Sequence, residues 1–282
     1  MSKQVDRHRF LNQVTSLRII ATVLALTLGA QVVPHIYAQE ADEHAVFVMT
    51  NSVEGNEIIA YSRAGEGSLV ERHHYATGGR GSGGTTDPLG SQGSLPLSED
   101  RSLLFAVNAG TGNLSVFRVR AASLNLVQVV SSGGSAPVAI AQHRNLVYAI
   151  NFAGNSNVVG FHLDEVGRLI MIRDSIRYLS ATNSGLSSQA FSPDGRFLLV
   201  TEKITNNVDA FSVQSDGSLS QPKVTSDPVP GLFDVVFSPG NFQGATLVTF
   251  DLAPGTIPAT DACTVPTGDL RGPRLSKPKL VV

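Results

Sequence analysis

Phe191-Ser-Pro-Asp-Gly-Arg-Phe-Leu-Leu-Val-Thr-Glu202 contains a short strand, a tight turn and a second, strongly apolar strand. Pro193-Asp-Gly195 has turn chemistry, because glycine adopts the backbone angles such a turn needs. Phe197 to Glu202 is apolar enough to be buried on both faces. The pattern returns as Leu97-Ser-Glu-Asp-Arg-Ser-Leu-Leu-Phe-Ala-Val-Asn108 and as Ile140-Ala-Gln-His-Arg-Asn-Leu-Val-Tyr-Ala-Ile-Asn151. Its second half stands at Val46-Phe-Val-Met-Thr-Asn51.

Each copy continues in the same way. After Glu202, Asn207-Val-Asp-Ala-Phe-Ser-Val213 alternates as a half-buried strand does, and Asp216-Gly-Ser-Leu219 is a second turn before a weaker fourth strand. The aromatic of the third strand recurs as Tyr61, Phe117, Phe161 and Phe211. Four antiparallel strands per repeat, with 43 to 57 residues between Asn51, Asn108, Asn151 and Glu202, predict an all-β fold of propeller blades. A β-sandwich is the alternative, but it leaves the strict repetition unexplained. A fifth repeat opens at Phe233-Asp-Val-Val-Phe-Ser-Pro239 and reaches about Phe250. Residues 252–282 then hold five of the 14 prolines and no strand alternation, so they read as an irregular tail. Four to five blades are therefore expected over residues 39–251. Because apolar faces between blades need cover, the chain either closes with few blades, takes a partner, or is a truncated copy of a longer protein. The abrupt change of composition favours truncation.

At the other end, Lys3, Arg7, Arg9 and Arg18 precede the apolar run Ile19 to Val33, then Pro34 and His35-Ile-Tyr-Ala38. This reads as a secretory signal peptide cleaved near Ala38, placing the protein outside the cell or in the periplasm; a short uncleaved anchor is the alternative. Losing residues 1–38 removes those four cations and Asp6, which takes the net charge from −2 to −5. An acidic chain of this kind is not expected to bind nucleic acid, and no membrane contact is expected after cleavage. Cys263 is the sole cysteine, so no disulfide forms within the chain, and cysteine–zinc chemistry has no support. No cofactor and no metal are expected. A small-molecule ligand is the expected partner class, and oligomeric state is left open.

Gly79-Arg-Gly-Ser-Gly-Gly84 matches the dinucleotide fingerprint formally. No helix start follows it, so the Gly78 to Gly93 stretch reads as a flexible loop between blades. His73 and His74 alternate in a strand and point to opposite faces. His143, in a turn position, is expected to face solvent.

Glu202 is the one repeat-end residue that carries a charge. Pairing across an antiparallel hairpin sets the start of its first strand beside the end of its second, which puts Ser187 beside Glu202, Gly93 beside Asn108 and Ala136 beside Asn151. A glutamate there suits general acid–base chemistry. Ser187, Ser188, Lys203, Asn108 and Asn151 are the neighbouring candidates for substrate binding. The competing reading is that Asn51, Asn108 and Asn151 cap loops through local bonds and that Glu202 is a variant of the same device.

The segments 191–202, 207–213 and 216–219 resemble the seven-bladed β-propeller lactonase family, which includes propeller-type 6-phosphogluconolactonases and carboxymuconate-lactonizing enzymes. The resemblance covers roughly residues 45–250. It implies a lactonase-type hydrolase of a sugar lactone or related cyclic ester, with the carboxylate retained as Glu202. The family's Gly-Pro-Arg-His stands here as Gly185-Leu-Ser-Ser188, so Ser187 and Ser188 replace the Arg-His pair. A further family histidine falls near Ala136. The alternatives are a non-catalytic secreted propeller that binds a ligand or partner, and an inactive fragment of a longer lactonase-like protein.

Overall fold

The computed structural model describes residues 45–84, 91–227, 232–237 and 247–251, the last as backbone alone. The expected leader and the 252–282 tail lie outside the described residues. Every regular element among them is a β-strand.

Blade 1 is the sheet β1 (Ala45–Met49), β2 (Glu57–Arg63) and β3 (Leu69–Ala76). Blade 2 is β4 (Leu103–Asn108), β5 (Asn113–Arg120) and β6 (Ser123–Ser131). Its inner strand is reduced to a Leu97–Leu104 bridge, made by Ser98 N on Leu103 O and Phe105 N on Pro96 O, and one further bond from Val107 N to Ser94 O. Pro96 itself has no N–H to donate, which suits an edge position. Blade 3 holds β7 (Ser135–His143), β8 (Leu146–Ala153), β9 (Asn157–Leu163) and β10 (Leu169–Met171), with β11 (Arg177–Tyr178) pairing β9 beyond β10. Blade 4 is β12 (Leu186–Phe191), β13 (Phe197–Glu202), β14 (Asn207–Ser212) and β15 (Lys223–Ser226). A hairpin of β16 (Leu232–Phe237) and β17 (Leu247–Asp251) begins a fifth. All pairings are antiparallel, and all but that of β11 with β9 join consecutive strands, as the repeat predicts.

The strand ends fall where the sequence puts them because the turns are chemically specified. Gly195, at φ 72°, closes a turn with its N–H on Ser192 O (2.8 Å), and Asp194 accepts from Ser192 Oγ and Arg196 N. The second strands β4, β8 and β13 are buried along almost their whole length, since each is covered by a neighbouring blade on either side. Phe117, Phe161 and Phe211 are fully buried, and each such side chain contributes roughly 1.5–3 kcal/mol of apolar burial.

One register detail departs from simple hairpin pairing. Leu186, not Ser187, lies opposite Glu202, because a β-bulge skips Ser187 before Ser188 pairs with Thr201. The same bulge recurs in β7, where Pro137 rather than Ala136 faces Asn151, and in β16 at Phe233. An extra residue at the inner end of the strand twists it away from the ladder.

The glycine-rich stretch also departs from expectation. Its described part, 78–84, is packed rather than loose: Gly81 N donates to Ser52 O (2.7 Å), Gly83 N to Asn51 O (3.0 Å) and Ser82 N to Asn51 Oδ1 (2.9 Å). A Cβ on Gly81 would lie 2.2 Å from the Asn51 carbonyl carbon. The backbone donors a phosphate would need are occupied. Further on, Ser91–Gly93 crosses the inner ends of blades 3 and 4, with Gln92 N on Ser187 O (2.7 Å) and Ile140 N on Gly93 O (2.9 Å).

Candidate functional site

Glu202 ends β13 with its side chain fully buried. Oε1 accepts the Ser180 N–H at 3.0 Å, and Oε2 accepts short hydrogen bonds from Ser180 Oγ and Thr205 Oγ1. Ser180 lies in the linker from blade 3 and is exposed, so the carboxylate sits one side chain below the surface. The same Ser180 N–H also reaches Asp209 Oδ2 at 3.0 Å, which brings two buried carboxyls onto one donor. Asn207, opposite Glu202 in register, donates to Ser180 Oγ at 3.0 Å. Burial first, and then the neighbouring Glu202 charge, push the Asp209 carboxyl up to about 7.

Ser187 and Ser188 face the other side of the same hairpin. Ser187 Oγ bonds Thr201 Oγ1 (3.0 Å), Thr201 Oγ1 donates to Phe233 O (3.1 Å), and Ser188 Oγ donates to Asp234 Oδ1 (2.5 Å). These bonds join blade 4 to the β16 strand. Lys203 gives its N–H to Gly185 O (2.9 Å) and sets its ammonium 5.8 Å above the Phe233 ring.

Asn108 and Asn151 occupy the position of Glu202 in blades 2 and 3, and both are fully buried. Asn108 Oδ1 accepts from Thr77 Oγ1 (2.7 Å) and Asn56 Nδ2 (2.9 Å), while its Nδ2 donates to Asn113 Oδ1 (2.7 Å) and Ser115 Oγ (2.8 Å). Asn151 Nδ2 donates to Ser132 O (3.2 Å) and Asn157 Oδ1 (3.0 Å). Thr77, Ser132 and Ser180 occupy equivalent places in successive linkers. Each strand-end residue is thus bound by the linker that precedes its own blade. The bonds are of two kinds: local ones across the hairpin to Asn113, Ser115 and Asn157, as the capping reading expects, and others to the preceding blade or linker through Asn56, Thr77 and Ser132. The six sequence candidates therefore fall in four regions: Asn108 between blades 1 and 2, Asn151 between 2 and 3, Glu202 between 3 and 4, and Ser187, Ser188 and Lys203 toward β16.

Two participants escape the sequence reading. Asp209 sits in an alternating strand where a polar residue passes for a solvent-facing one, and Asp234 opens a repeat with no fourth-strand context. His143 also differs from expectation. Its ring is mostly buried against Phe191, with Nδ1 3.0 Å from Glu99 Oε1, because blade 4 packs over the turn. At the opposite ends of the strands, a cleft of about 260 Å3 lies between the Ser98–Ser102 turn and the Asp164–Gly167 turn, with Arg118 and Arg144 in its wall. No cluster among the described residues has three side chains placed to hold a metal ion.

Residues 13–231 match the family described as lactonase, 7-bladed β-propeller. The chain belongs to this family. Among solved structures, this lactonase-family chain is similar to a putative 6-phosphogluconolactonase from Bacteroides uniformis, with 18% identity, 84% of this chain and 82% of that one covered, and a TM-score of 0.58. It is also similar to the periplasmic gluconolactonase of Pseudomonas aeruginosa, at 19% identity, 83% and 70% coverage and a TM-score of 0.54. A protein from Lactobacillus plantarum aligns at 12% identity with a TM-score of 0.60, over 84% of this chain and 67% of that one. At these identities the likeness concerns the propeller fold. No curated protein matches the chain.

Proposed function

We propose that this lactonase-family protein is a secreted hydrolase of a sugar lactone or related cyclic ester, with Glu202 as its acid–base group. The observation that carries the reading is Glu202 itself: a carboxylate occupies the strand end where blades 2 and 3 have asparagine, and an exposed serine roofs it. Hydrolysis of a lactone needs a base to take a proton from water or an acid to protonate the ring oxygen as it leaves. A carboxylate beneath Ser180 serves as the base once substrate displaces the serine hydroxyl, and the proton it takes from water is then available to the leaving ring oxygen. Ser187, Ser188 and Lys203 lie on the other side of the hairpin, toward β16, and are not part of this acid–base group. The secretory signal read at residues 1–38 supports an exported protein.

A second reading is a non-catalytic secreted propeller. Ser187 and Ser188 favour it, because serine does not replace the guanidinium that stabilises a developing oxyanion. Hydrolysis of a panel of sugar lactones by the purified protein separates the two. Under the first reading Glu202→Gln lowers the rate roughly hundredfold or more. An unchanged rate removes Glu202 from catalysis, and no hydrolysis of any lactone favours the binding protein.

A further inference from the structure

We propose that Asp209 is the proton-holding partner of Glu202, so that the two carboxyls carry one proton between them at mildly acidic pH and that proton resides on Asp209. The inference deepens the reading above and rests on it only for its catalytic consequence.

The geometry is asymmetric. Glu202 accepts three hydrogen bonds, from Ser180 N, Ser180 Oγ and Thr205 Oγ1. Asp209 accepts only its share of the Ser180 N–H through Oδ2, and its Oδ1 is buried with no partner. Hydrogen bonds stabilise the ionised form of a carboxyl, and a lone buried carboxylate oxygen is far more costly than a lone carboxylic acid oxygen. One N–H shared by two carboxylates does not offset their mutual repulsion in a dry joint. The least costly state therefore keeps the charge on Glu202 and the proton on Asp209. The upward shift of Asp209, caused first by burial and then by the Glu202 charge, agrees.

The charged and titratable groups around the pair leave this balance intact. Arg177 of β11 is committed to the carbonyls of Leu219, Asp174 and Ile176. Lys203 holds its ammonium over Phe233. Lys223 of β15 lies opposite Ala210, which sets it on the other face of the sheet from Asp209. Tyr148 of β8 donates its hydroxyl to Gly217 O at 2.6 Å, and its burial keeps it protonated. No cation is among the groups that set the Asp209 carboxyl. The arrangement follows the general behaviour of coupled acids, which release their protons as a pair rather than singly. In this role Asp209 is a positioning residue. It keeps Glu202 ionised when substrate arrives and places a second proton within reach of the joint.

The test is infrared difference spectroscopy on the purified full chain without substrate. A protonated-carboxyl band is expected at mildly acidic pH and should titrate away through about pH 7. It should be absent in Asp209→Asn and titrate at lower pH in Glu202→Gln. Absence of the band at mildly acidic pH, or its survival in Asp209→Asn, overturns the proposal. If Asp209→Asn does not fold, the unchanged protein labelled with carboxyl-13C aspartate or glutamate decides: the band must move with the aspartate label, and movement with the glutamate label refutes it. Substrate plays no part in this measurement. A bound proton without lactone hydrolysis would sink the hydrolase reading and leave this one standing.

Discussion

Gly134 backs directly onto the side chain of Asn151, so closely that an added Cβ would stand 2.6 Å from Asn151 Cγ. Gly79 meets Asn108 in the same way, at 2.5 Å. The second glycines of Thr77-Gly-Gly79 and Ser132-Gly-Gly134 are therefore required by the asparagine that each linker covers. Gly134→Ala and Gly79→Ala should each cost about 1–3 kcal/mol through overpacking, read as a lower urea midpoint at unchanged slope. A loss below about 0.5 kcal/mol at both sites would show that these joints have slack.

Asn108 ties four side chains from two blades. Asn108→Ala leaves Thr77, Asn56, Asn113 and Ser115 short of a partner in a buried site. The expected cost is about 2–4 kcal/mol in chemical denaturation. Asn151→Ala should cost less, because Asn151 makes two such bonds and leaves its Oδ1 without one. A larger loss at Asn151 than at Asn108 would contradict the assignment of these bonds.

Stability should depend on pH through Asp209. Its carboxyl is raised to about 7 in the folded chain, whereas an aspartate in the unfolded chain titrates near about 4. Between these values the folded state keeps a proton that the unfolded state has released. Stability is therefore greatest at the acid end of that window, falls as pH rises through it, and levels off above about pH 7. The fall is on the order of a few kcal/mol. Asp209→Asn should remove most of it, visible as a flatter plot of melting temperature against pH. A wild-type plot that rises across the window would be decisive against this.

Gly195 closes the turn against the His143 ring. A Cβ there would lie 2.3 Å from His143 Cδ2, at a φ of 72°. Gly195→Ala should cost about 2 kcal/mol or more, of which roughly 1 is backbone strain. Pairing it with His143→Ala should recover the steric part and leave the strain. Strict additivity in that double-mutant cycle would mean that ring and turn do not touch.

Much of the fold is written in local chemistry. The turn at Pro193–Gly195, the apolar run Phe197–Glu202 and the recurring third-strand aromatic each act within a few residues, so the blades can be read off the chain. The bulges cannot, because Ser187 is skipped only when the strand packs between two neighbours. The same holds for the candidate site. Glu202 stands out because it breaks a repeat, whereas Asp209 looks like an ordinary polar position until the Ser180 linker is folded over both. His143 misleads for the converse reason: its place in a turn says solvent, and the adjoining blade says otherwise.

The three linkers carrying Thr77, Ser132 and Ser180 each hold the strand end of the next blade, through a hydroxyl, a carbonyl and a backbone N–H in turn, and differ in what they hold. Two hold a neutral amide and one holds an acid. Opposite them, the position of Asp209 is Ser115 in blade 2 and Val159 in blade 3. The acid pair thus gives one seam a pH dependence that the other two lack, and it resides in two letters of the sequence. Carrying that pair to either of the other seams should carry this pH dependence with it, with the strands themselves left unchanged.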